Sequence, residues 1–387
     1  MSPPGNASAT GPPCNRVSIA ETAHSMTRCR ELGILLQSPL PNLNTEFNMT
    51  RVCSEWIFCE EVECRPSPVP STLLQEKWSN MPDMPVFVDR HDERFSLPFT
   101  YGGLLPEESA FASAQVAILP IPYEQTTTYG TGTKAGPQAL IAASRHMELY
   151  DEELDYEVYK VGLHTLRELE PIASGPKAML DRITEVTGEL LDHGKFVVGV
   201  GGEHTISFGL VRAFAERFPA LSVLQFDAHA DLRDTYQGTP YNHASVLRRI
   251  SEIVPAVQVG IRSLSREEAA WVKERGARLF YASEVVGSHG VATTISAALT
   301  DQVYITICLD GFDPSIMPAV GTPEPGGLGW YDVLGIVRQV AQTRHIVGFD
   351  VVELFPIPGN VAPDFLAAKL VYKVLGYRFK LGKSRPG

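Results

Sequence analysis

Short apolar runs rich in β-branched residues alternate with stretches of helical periodicity from about residue 113 onward. This alternation is typical of repeated strand–helix–strand units, which build a parallel sheet. The runs lack regular polar positions, which indicates a sheet buried by helices on both faces. The pattern therefore predicts a three-layer α/β/α fold with a mostly parallel sheet. The predicted strands are 116–119, 196–200, 221–226, 257–260, 279–281, 303–309 and 346–351, and the predicted helices are 137–149, 177–193, 206–217, 244–253, 266–274, 291–299, 331–341 and 362–375.

The first part of the chain shows neither the two-residue period of a strand nor the 3.6-residue period of a helix, because Pro, Ser, Asn and Thr interrupt both throughout. We therefore predict a poorly structured N-terminal extension at 1–80. It is followed by one folded domain at 81–387, whose core spans about 113–377. No second core and no short-period repeat is visible in the pattern.

The cysteines divide unevenly between these two parts of the chain. Six cysteines in 387 residues do not form a disulfide scaffold, and the extension lacks the basic start and apolar core of a secretory signal. These features predict a cytoplasmic protein. The spacing of Cys53, Cys59 and Cys64 is compatible with a metal knuckle, but no C-x-x-C pair or histidine cluster accompanies it, so we favour a thiol-bearing tail. The cysteines of the extension are Cys14, Cys29, Cys53, Cys59 and Cys64, and Cys308 lies in the domain.

The charge balance narrows the class of partner. Lys and Arg total 33 against 45 Asp and Glu, which gives a net charge of −12. This excess of acid argues against nucleic acid as a partner and suits a small cationic substrate. The longest apolar stretches are shorter than the roughly 20 residues that a membrane helix needs, so we expect no membrane partner.

Three predicted strands end in histidine and acidic residues. His204 follows 196–200, the run D-A-H-A-D follows 221–226, and Asp310 and Asp313 come at the end of 303–309. Because ligands of an open parallel sheet bind at the carboxyl ends of its strands, we expect these residues to share one edge. The alternative for the D-A-H-A-D run is a surface loop whose acids cap the following helix.

The D-A-H-A-D run is also a candidate metal site. Its alternate residues in a fully extended strand would span roughly 13 Å, too far for a single ion. The run must therefore curl, serve two ions, or do both. Oxygen-rich ligation with a minority of imidazole favours a hard ion such as Mn²⁺ over the sulfur-rich sets of structural zinc.

Together these motifs resemble the ureohydrolase family, which includes arginases and agmatinases. The resemblance covers about 115–377 and leaves the extension outside. It implies an arginase-like α/β/α fold with an eight-stranded sheet, a catalytic domain at 81–387, two Mn²⁺ ions per subunit, hydrolysis of a guanidinium group to urea and an amine, and a homotrimer or homohexamer. The stretches that carry the resemblance are "GVGGEHTISFG", "QFDAHADLRD", "GTPYNHASVLRRI", "VYITICLDGFDPSIMPAVGTPEPGGL" and "GFDVVELFPIPG", with "TYGTGTKAGPQALIAAS" upstream.

The resemblance implies roles for individual metal ligands. His204, Asp227 and Asp231 match the ligands of one manganese. Asp227, as a bridge, matches a ligand of the other manganese together with His229 and Asp310. Asp231 would also contact the metal-bound hydroxide, which gives it a catalytic role.

The same resemblance implies a set of substrate and proton-transfer residues. His243 matches an active-site histidine that binds substrate and shuttles a proton. Glu353 matches the carboxylate that pairs with the guanidinium, and Thr322 lines the same pocket. The alternative for Glu353 is a solvated loop acid. Since it follows a buried strand, where an unpaired acid would be costly, we favour the pairing role.

Cys308 departs from the family pattern, which has a second bridging Asp at this position. A carboxylate supplies two hard oxygen atoms, one to each ion, whereas a thiolate supplies one soft sulfur that suits Zn²⁺ better than Mn²⁺. The second ion is therefore in question. The favoured interpretation is that Cys308 packs as a small apolar residue beside a weakened or single-metal site. Thiolate ligation and an engineered or erroneous residue are the alternatives.

The resemblance implies metal-dependent hydrolysis of a guanidinium substrate, and our hypothesis is that metal-bound hydroxide attacks the guanidinium carbon. The segment "LRDTYQGTPYNHAS" resembles the agmatinase pattern. This favours agmatine, converted to putrescine and urea in polyamine biosynthesis. A guanidinobutyrase or another guanidine hydrolase is the alternative of the same class. The alternative of another class is a catalytically impaired subunit with a binding or regulatory role, for which Cys308 is the evidence.

Overall fold

The computed structural model describes residues 96–288 and 290–382. The predicted extension at 1–80, with its five cysteines, lies outside the described residues. The division into an extension and one domain therefore stays a prediction. Within the described ranges, no helix is both long and apolar enough to cross a lipid bilayer.

In the part of the chain that the structure describes, one sheet of eight parallel strands forms the centre of the fold, in the order β2-β1-β3-β8-β7-β4-β5-β6. This confirms the predicted fold class. The four central strands β3, β8, β7 and β4 are neighbours in space, although β3 and β4 are separated from β7 and β8 by much of the sequence. The strands are β1 (Val116–Ile121), β2 (Leu163–Thr165), β3 (Phe196–Gly201), β4 (Leu221–Phe226), β5 (Ala256–Ile261), β6 (Arg278–Tyr281), β7 (Gln302–Cys308) and β8 (His345–Val352).

Helices cover both faces of the sheet. Alternate residues of one strand enter two different apolar clusters: Ile305 and Ile307 face one layer, and Tyr304 faces the other. Because both faces of the sheet are buried, the strand sequences are apolar at consecutive positions. The helices are α1 (Gly136–Ser144), α2 (Pro176–Asp192), α3 (Ile206–Ala215), α4 (Val246–Ser251), α5 (Arg266–Arg275), α6 (Ala282–Val285), α7 (Val291–Ala297), α8 (Trp330–Thr343) and α9 (Ala362–Gly376). Helices α1, α7, α8 and α9 contribute to the first layer, and α2, α3 and α4 to the second.

The structure differs from the predicted elements at a few ends. Strand β2 was not predicted, because three residues at the sheet edge are too few to set a period. The four-residue helix α6 was missed for the same reason. The predicted helix 244–253 begins instead as a 3₁₀ turn at His243–Ser245, and α4 follows it. The predicted strand 303–309 ends at Cys308, where a 3₁₀ turn at Leu309–Gly311 begins.

Candidate active site

The carboxyl ends of the four central strands open into a cavity of about 280 Å³. This is the edge at which the sequence motifs were expected to meet. Asp227, which is fully buried, lies beneath the cavity and does not line it. The predicted site residues that line the cavity are His204, His229, Asp231, His243, Cys308, Asp310, Thr322 and Glu353.

One cluster of ligand atoms, the inner group, consists of His204, Asp227 and Cys308. The ligand atoms of these three residues all lie within 4.8 Å of one another. Nδ1 of His204 is 2.9 Å from Oδ2 of Asp227 and 3.2 Å from Oδ2 of Asp231. It is nevertheless buried without a hydrogen-bond partner. An orphaned nitrogen between two carboxylates is a position suited to a cation.

The orientation of the His204 ring follows from its other nitrogen. Nε2 lies 3.0 Å from Oγ1 of Thr306, and that hydroxyl donates to Oδ1 of Asp350 at 2.8 Å. Since the hydroxyl proton is used on Asp350, the Thr306 oxygen accepts from Nε2–H, and Nδ1 keeps a free lone pair. A lone pair facing Asp227 and Asp231 requires a positive charge between them. The residues present therefore fit a divalent metal ion.

A second cluster, the outer group, consists of Asp227, His229 and Asp310, whose ligand atoms also lie within 4.8 Å of one another. Nδ1 of His229 is 3.1 Å from Oδ2 of Asp310 and 3.5 Å from Oδ1 of Asp227. Asp227 thus meets the inner group through Oδ2 and the outer group through Oδ1. This is the arrangement expected of a carboxylate that bridges two ions.

The D-A-H-A-D run curls, as the spacing argument required. Asp231 has a φ of 53°, in the left-handed region that a side chain seldom adopts. This turn brings Asp231 back towards His204. Burial and the neighbouring Asp227 raise the pKa of Asp231 to about 7. Burial works in the same direction on Asp227, but its contacts with His204 and His229 hold the pKa of Asp227 well below its ordinary value.

Glu353 faces the cavity from the end of β8. It has a φ of 69°, and its backbone nitrogen donates to the carbonyl oxygen of Gly202 at 2.8 Å. Oε1 accepts from the backbone nitrogen of His204 at 2.7 Å. The residue is 9% exposed, which does not suit a solvated loop acid. Burial, and then the charge of Asp310, raise the pKa of this carboxyl. A cationic ligand in the cavity would offset the cost of a negative charge at this buried position.

His243 lies across the cavity on the 3₁₀ turn before α4. Its Nδ1 is 3.2 Å from Oγ1 of Thr126, and its Nε2 is 3.4 Å from Oγ1 of Thr128. The ring of Tyr236 packs edge-on against it at 5.8 Å. Burial is the main cause that lowers the pKa of His243 to about 4. A neutral imidazole in this place can accept a proton.

Glu203 is a site residue that the sequence reasoning missed. It is fully buried, and Oε1 accepts from the hydroxyl of Thr126 at 2.9 Å, while Oε2 accepts from the backbone nitrogens of Gln125 and Thr126. Through Thr126 it supports His243. The signal in the sequence is its place next to His204 in the motif G-G-E-H.

A buried network behind the inner group was also missed. Asp350 accepts from Thr306, from Ser207 at 3.0 Å and from the hydroxyl of Tyr304 at 2.7 Å. Thr306 and Asp350 are register partners on β7 and β8. The absence of a side chain at Gly199 gives Asp350 its space, since a Cβ there would lie 3.0 Å from that of Asp350.

Arg262 supports the outer group from the other side. Its guanidinium donates to the carbonyl oxygens of Asp310 at 2.7 Å, Phe312 at 3.1 Å and Glu324 at 2.8 Å. Two further carbonyl acceptors, of Gly260 and Gly311, complete this clamp. The clamp fixes the turn that carries Asp310.

Asp313 does not join the ligand clusters, although the sequence placed it at the same edge. Its Oδ1 accepts from the backbone nitrogen of Ser315 at 3.0 Å, and Oδ2 accepts from those of Gly326 and Gly327 at 2.9 Å each. These contacts draw together the two ends of the loop that contains Thr322. Asp313 therefore shapes the cavity wall instead of lining it.

Comparisons with known proteins agree with this geometry. The arginase family profile matches residues 114–376. The chain is 41% identical over 278 residues to the N(1)-aminopropylagmatine ureohydrolase of Synechocystis sp., a match that covers 70% of this chain and 90% of that protein. It is 31% identical over 268 residues to the agmatinase of Bacillus anthracis, a match that covers 68% of this chain and 91% of that protein.

Among solved structures, the agmatine ureohydrolase of Thermoplasma volcanium is similar, with a TM-score of 0.65 and 31% identity. The match covers 70% of this chain and 92% of that one. Sequence and structure lead to the same conclusion: the chain belongs to the arginase family.

Proposed function

We propose that this protein hydrolyses the guanidinium group of agmatine or a close relative, releasing urea and an amine. The observation that carries the proposal is the convergence of the inner and outer groups on Asp227, beneath a cavity that Glu353 and His243 also line. Two ligand groups supply a place for metal ions. Glu353 supplies a buried anion for the guanidinium.

The residues of the chain then have distinct tasks. Divalent ions, when bound, lower the pKa of water and so make a nucleophile available at neutral pH. Glu353 binds the guanidinium and orients its carbon. Asp231, which lines the cavity beside His204, accepts the proton of the attacking water. The proton returns to the departing amine through Asp231 or His243.

The metal content is part of the proposal. The oxygen-rich outer group suits Mn²⁺, the ion that the family resemblance implies, and the inner group is the place for the second ion. The identity of the ion in the inner group depends on Cys308, which offers sulfur where an oxygen pair is expected.

Two amine-ended substrates are candidates, agmatine and N1-aminopropylagmatine. The net charge of −12 supports a substrate whose far end is cationic. Similarity to a relative named for aminopropylagmatine supports the longer substrate, and similarity to agmatinases supports the shorter one. The role would be a step in polyamine biosynthesis.

The test is urea release by the full-length protein with added Mn²⁺, from four substrates. These are agmatine, N1-aminopropylagmatine, arginine and 4-guanidinobutyrate, and the last two carry a carboxylate at the far end. We expect turnover of an amine-ended substrate and little from the other two. The Cys308→Asp variant, which restores the family residue, is measured in parallel. Absence of urea from every substrate in both forms would rule out the hydrolase, whereas activity only in the Asp form would support the catalytically impaired alternative.

We also propose a cytoplasmic homotrimer or homohexamer. The family resemblance supports the assembly, and the cysteine distribution supports the reducing compartment. Light scattering on the purified protein tests the assembly, and a stable monomer at working concentration would contradict it.

A further inference from the structure

We propose that the sulfur of Cys308 is a ligand of the ion held by His204 and Asp227. The inner group is then a nitrogen, oxygen and sulfur site that prefers a softer ion such as Zn²⁺, while the outer group keeps the harder chemistry of Mn²⁺. This inference rests on the metal centre of the proposed function and on no particular guanidine substrate.

The strand places Cys308 on the side that faces the inner group. Successive side chains of a strand point to opposite faces, so Thr306 and Cys308 share one face of β7. Thr306 contacts the ring of His204 from this face. Cys308, as the last residue of the strand, lies one step nearer the cavity and lines it.

A second observation points to an ion independently of the cysteine. Nδ1 of His204 is buried, has no hydrogen-bond partner and belongs to the same cluster as the sulfur of Cys308. His204 itself is 1% exposed. A histidine held in this orientation by Thr306 and Asp350 presents its lone pair to the point that Asp227 and Cys308 also face.

Packing alone does not account for the position of Cys308. The residue is 1% exposed and touches the apolar cluster of the second layer, as a small apolar residue would. Its sulfur, however, faces the cavity among the charged or polar atoms of His204, Asp227 and Asp310. An apolar group gains nothing from such neighbours, whereas a sulfur ligand would share an ion with His204 and Asp227.

The charge and the number of donor atoms are consistent with one ion. When the ion binds, the thiol proton leaves to solvent, and the thiolate adds a full negative charge to the share that Asp227 contributes to each group. A single sulfur serves one position, and Cys308 groups with His204. The two halves of the centre therefore differ in their preferred metal.

Co²⁺ is a direct probe of sulfur ligation, because thiolate ligands give it an intense near-ultraviolet charge-transfer band. The extension carries five further thiols, so the matched pair of full-length proteins has these replaced by Ser and differs only in Cys308 or Cys308→Ser. We expect the band in the first protein and its loss in the second. The replaced residues are Cys14, Cys29, Cys53, Cys59 and Cys64.

Metal preference is measured by competition. Most protein sites favour Zn²⁺ over Mn²⁺, so the informative quantity is the change in preference between the native chain and Cys308→Asp. We expect the ratio of bound Zn²⁺ to Mn²⁺, by mass spectrometry, to fall by about tenfold or more in the Asp variant, since loss of even a supporting contact costs a metal site about that much.

A measurement on the unsubstituted sulfur site covers the case in which a Cys308 variant fails to fold. X-ray absorption of the Zn²⁺-loaded protein with Cys308 as its one cysteine should contain a sulfur neighbour at about 2.3 Å. Zinc bound without a sulfur neighbour, or an unchanged Zn²⁺ to Mn²⁺ ratio in Cys308→Asp, would overturn the inference. A protein with the sulfur neighbour that releases no urea from any guanidine would refute the proposed function and leave this inference intact.

Discussion

The two halves of the candidate metal centre are built by different means. The inner group comes from the ends of strands β3, β4 and β7, and side chains support it: Thr306 holds His204, and Asp350 holds Thr306. The outer group takes His229 and Asp310 from the segments beyond β4 and β7. Arg262 supports it through main-chain carbonyl groups.

The difference follows from which backbone N–H and C=O groups remain free to form hydrogen bonds. In a central strand the N–H and C=O groups are committed to the ladders on both sides, so only side chains can reach a ligand from behind. Past the strand end, carbonyl groups such as those of Asp310 and Phe312 have no ladder partner, and a guanidinium with five donors can collect them. The two halves should therefore respond to different substitutions.

Substitution of Asp227 should affect both halves of the centre equally, because this residue belongs to both groups. We expect Asp227→Ala to lose both ions and all measurable turnover. Metal per chain after dialysis and urea release are the measurements, with a thermal melt to check folding. Asp234→Ala is the matched control, since its side chain lies in the same segment and is 70% exposed. One ion retained by the Asp227 variant would argue against a shared ligand.

Substitution of Glu353 should lower turnover without loss of metal from either half of the centre. Glu353→Gln keeps an acceptor for the backbone nitrogen of His204 but removes the anion for the guanidinium. Leaving that cation unpaired should cost about 2–5 kcal/mol, or roughly 30- to 5000-fold in kcat/KM, with metal content unchanged. The control is Glu324→Gln, a partly exposed acid 3.9 Å from Nε2 of His229. Loss of bound metal in the Glu353 variant would contradict the assigned role.

Asp350→Asn should weaken the inner half alone. It removes the charge that orients Thr306 and His204, and loss of such a support costs a metal site about 10- to 100-fold in affinity. Titration with a competing chelator should resolve one weakened and one unchanged ion. Tyr304→Phe, which removes one donor to the same carboxylate, should give a smaller effect. Equal weakening of both ions would mean that the halves are not independent.

Arg262→Lys should weaken the outer half alone, by about tenfold. An ammonium group cannot serve the fork of carbonyl acceptors, and the carbonyls left unpaired should also lower the free energy of unfolding by about 1–3 kcal/mol. The measurements are chelator titration and denaturant unfolding. Arg266→Lys, at an exposed position of α5, should change neither quantity. A variant with an unchanged outer ion would leave Arg262 a structural role only.

Asp313 offers the smallest effect, in the dependence of stability on pH. Contacts with Ser315, Gly326 and Gly327 lower its pKa from 3.8 to about 2. The native state therefore gains stability from Asp313 above pH 4 and loses it as the pH falls towards 2. We expect Asp313→Asn to lower the melting temperature slightly at pH 7 and hardly at all near pH 2. A difference that persists in acid would exclude ionisation as the cause.

The strands and the shared edge were predictable because both depend on local order. An apolar run of six residues followed by polar ones indicates a strand and its end, and parallel strands end at a common edge. Asp350 gave no such signal. It stands within the apolar run "HIVGFDVV", and its partners Thr306 and Ser207 reach it only through sheet register and the packing of α3.

The contacts of Arg262 could not be predicted for a different reason. Its partners are main-chain carbonyl groups. Every residue has one, so the sequence gives no signal for which of them will accept these hydrogen bonds. Cys308 is an intermediate case. The sequence marked it as a departure from the family pattern, but its choice between packing and ligation depends on where its neighbours point.

The order of the strands has a consequence for protein synthesis. His204 and Asp227 are close in the sequence, yet β8 and β7 lie between their strands in the sheet. The ribosome produces those two strands late. A nascent chain that ends just before residue 345 contains all three inner-group residues but lacks β8, the strand that separates β3 from β7 in the sheet and so sets the spacing between His204 and Cys308. We expect the metal to be acquired only after nearly the whole protein has been made, which leaves the choice of metal to the compartment in which the finished chain folds.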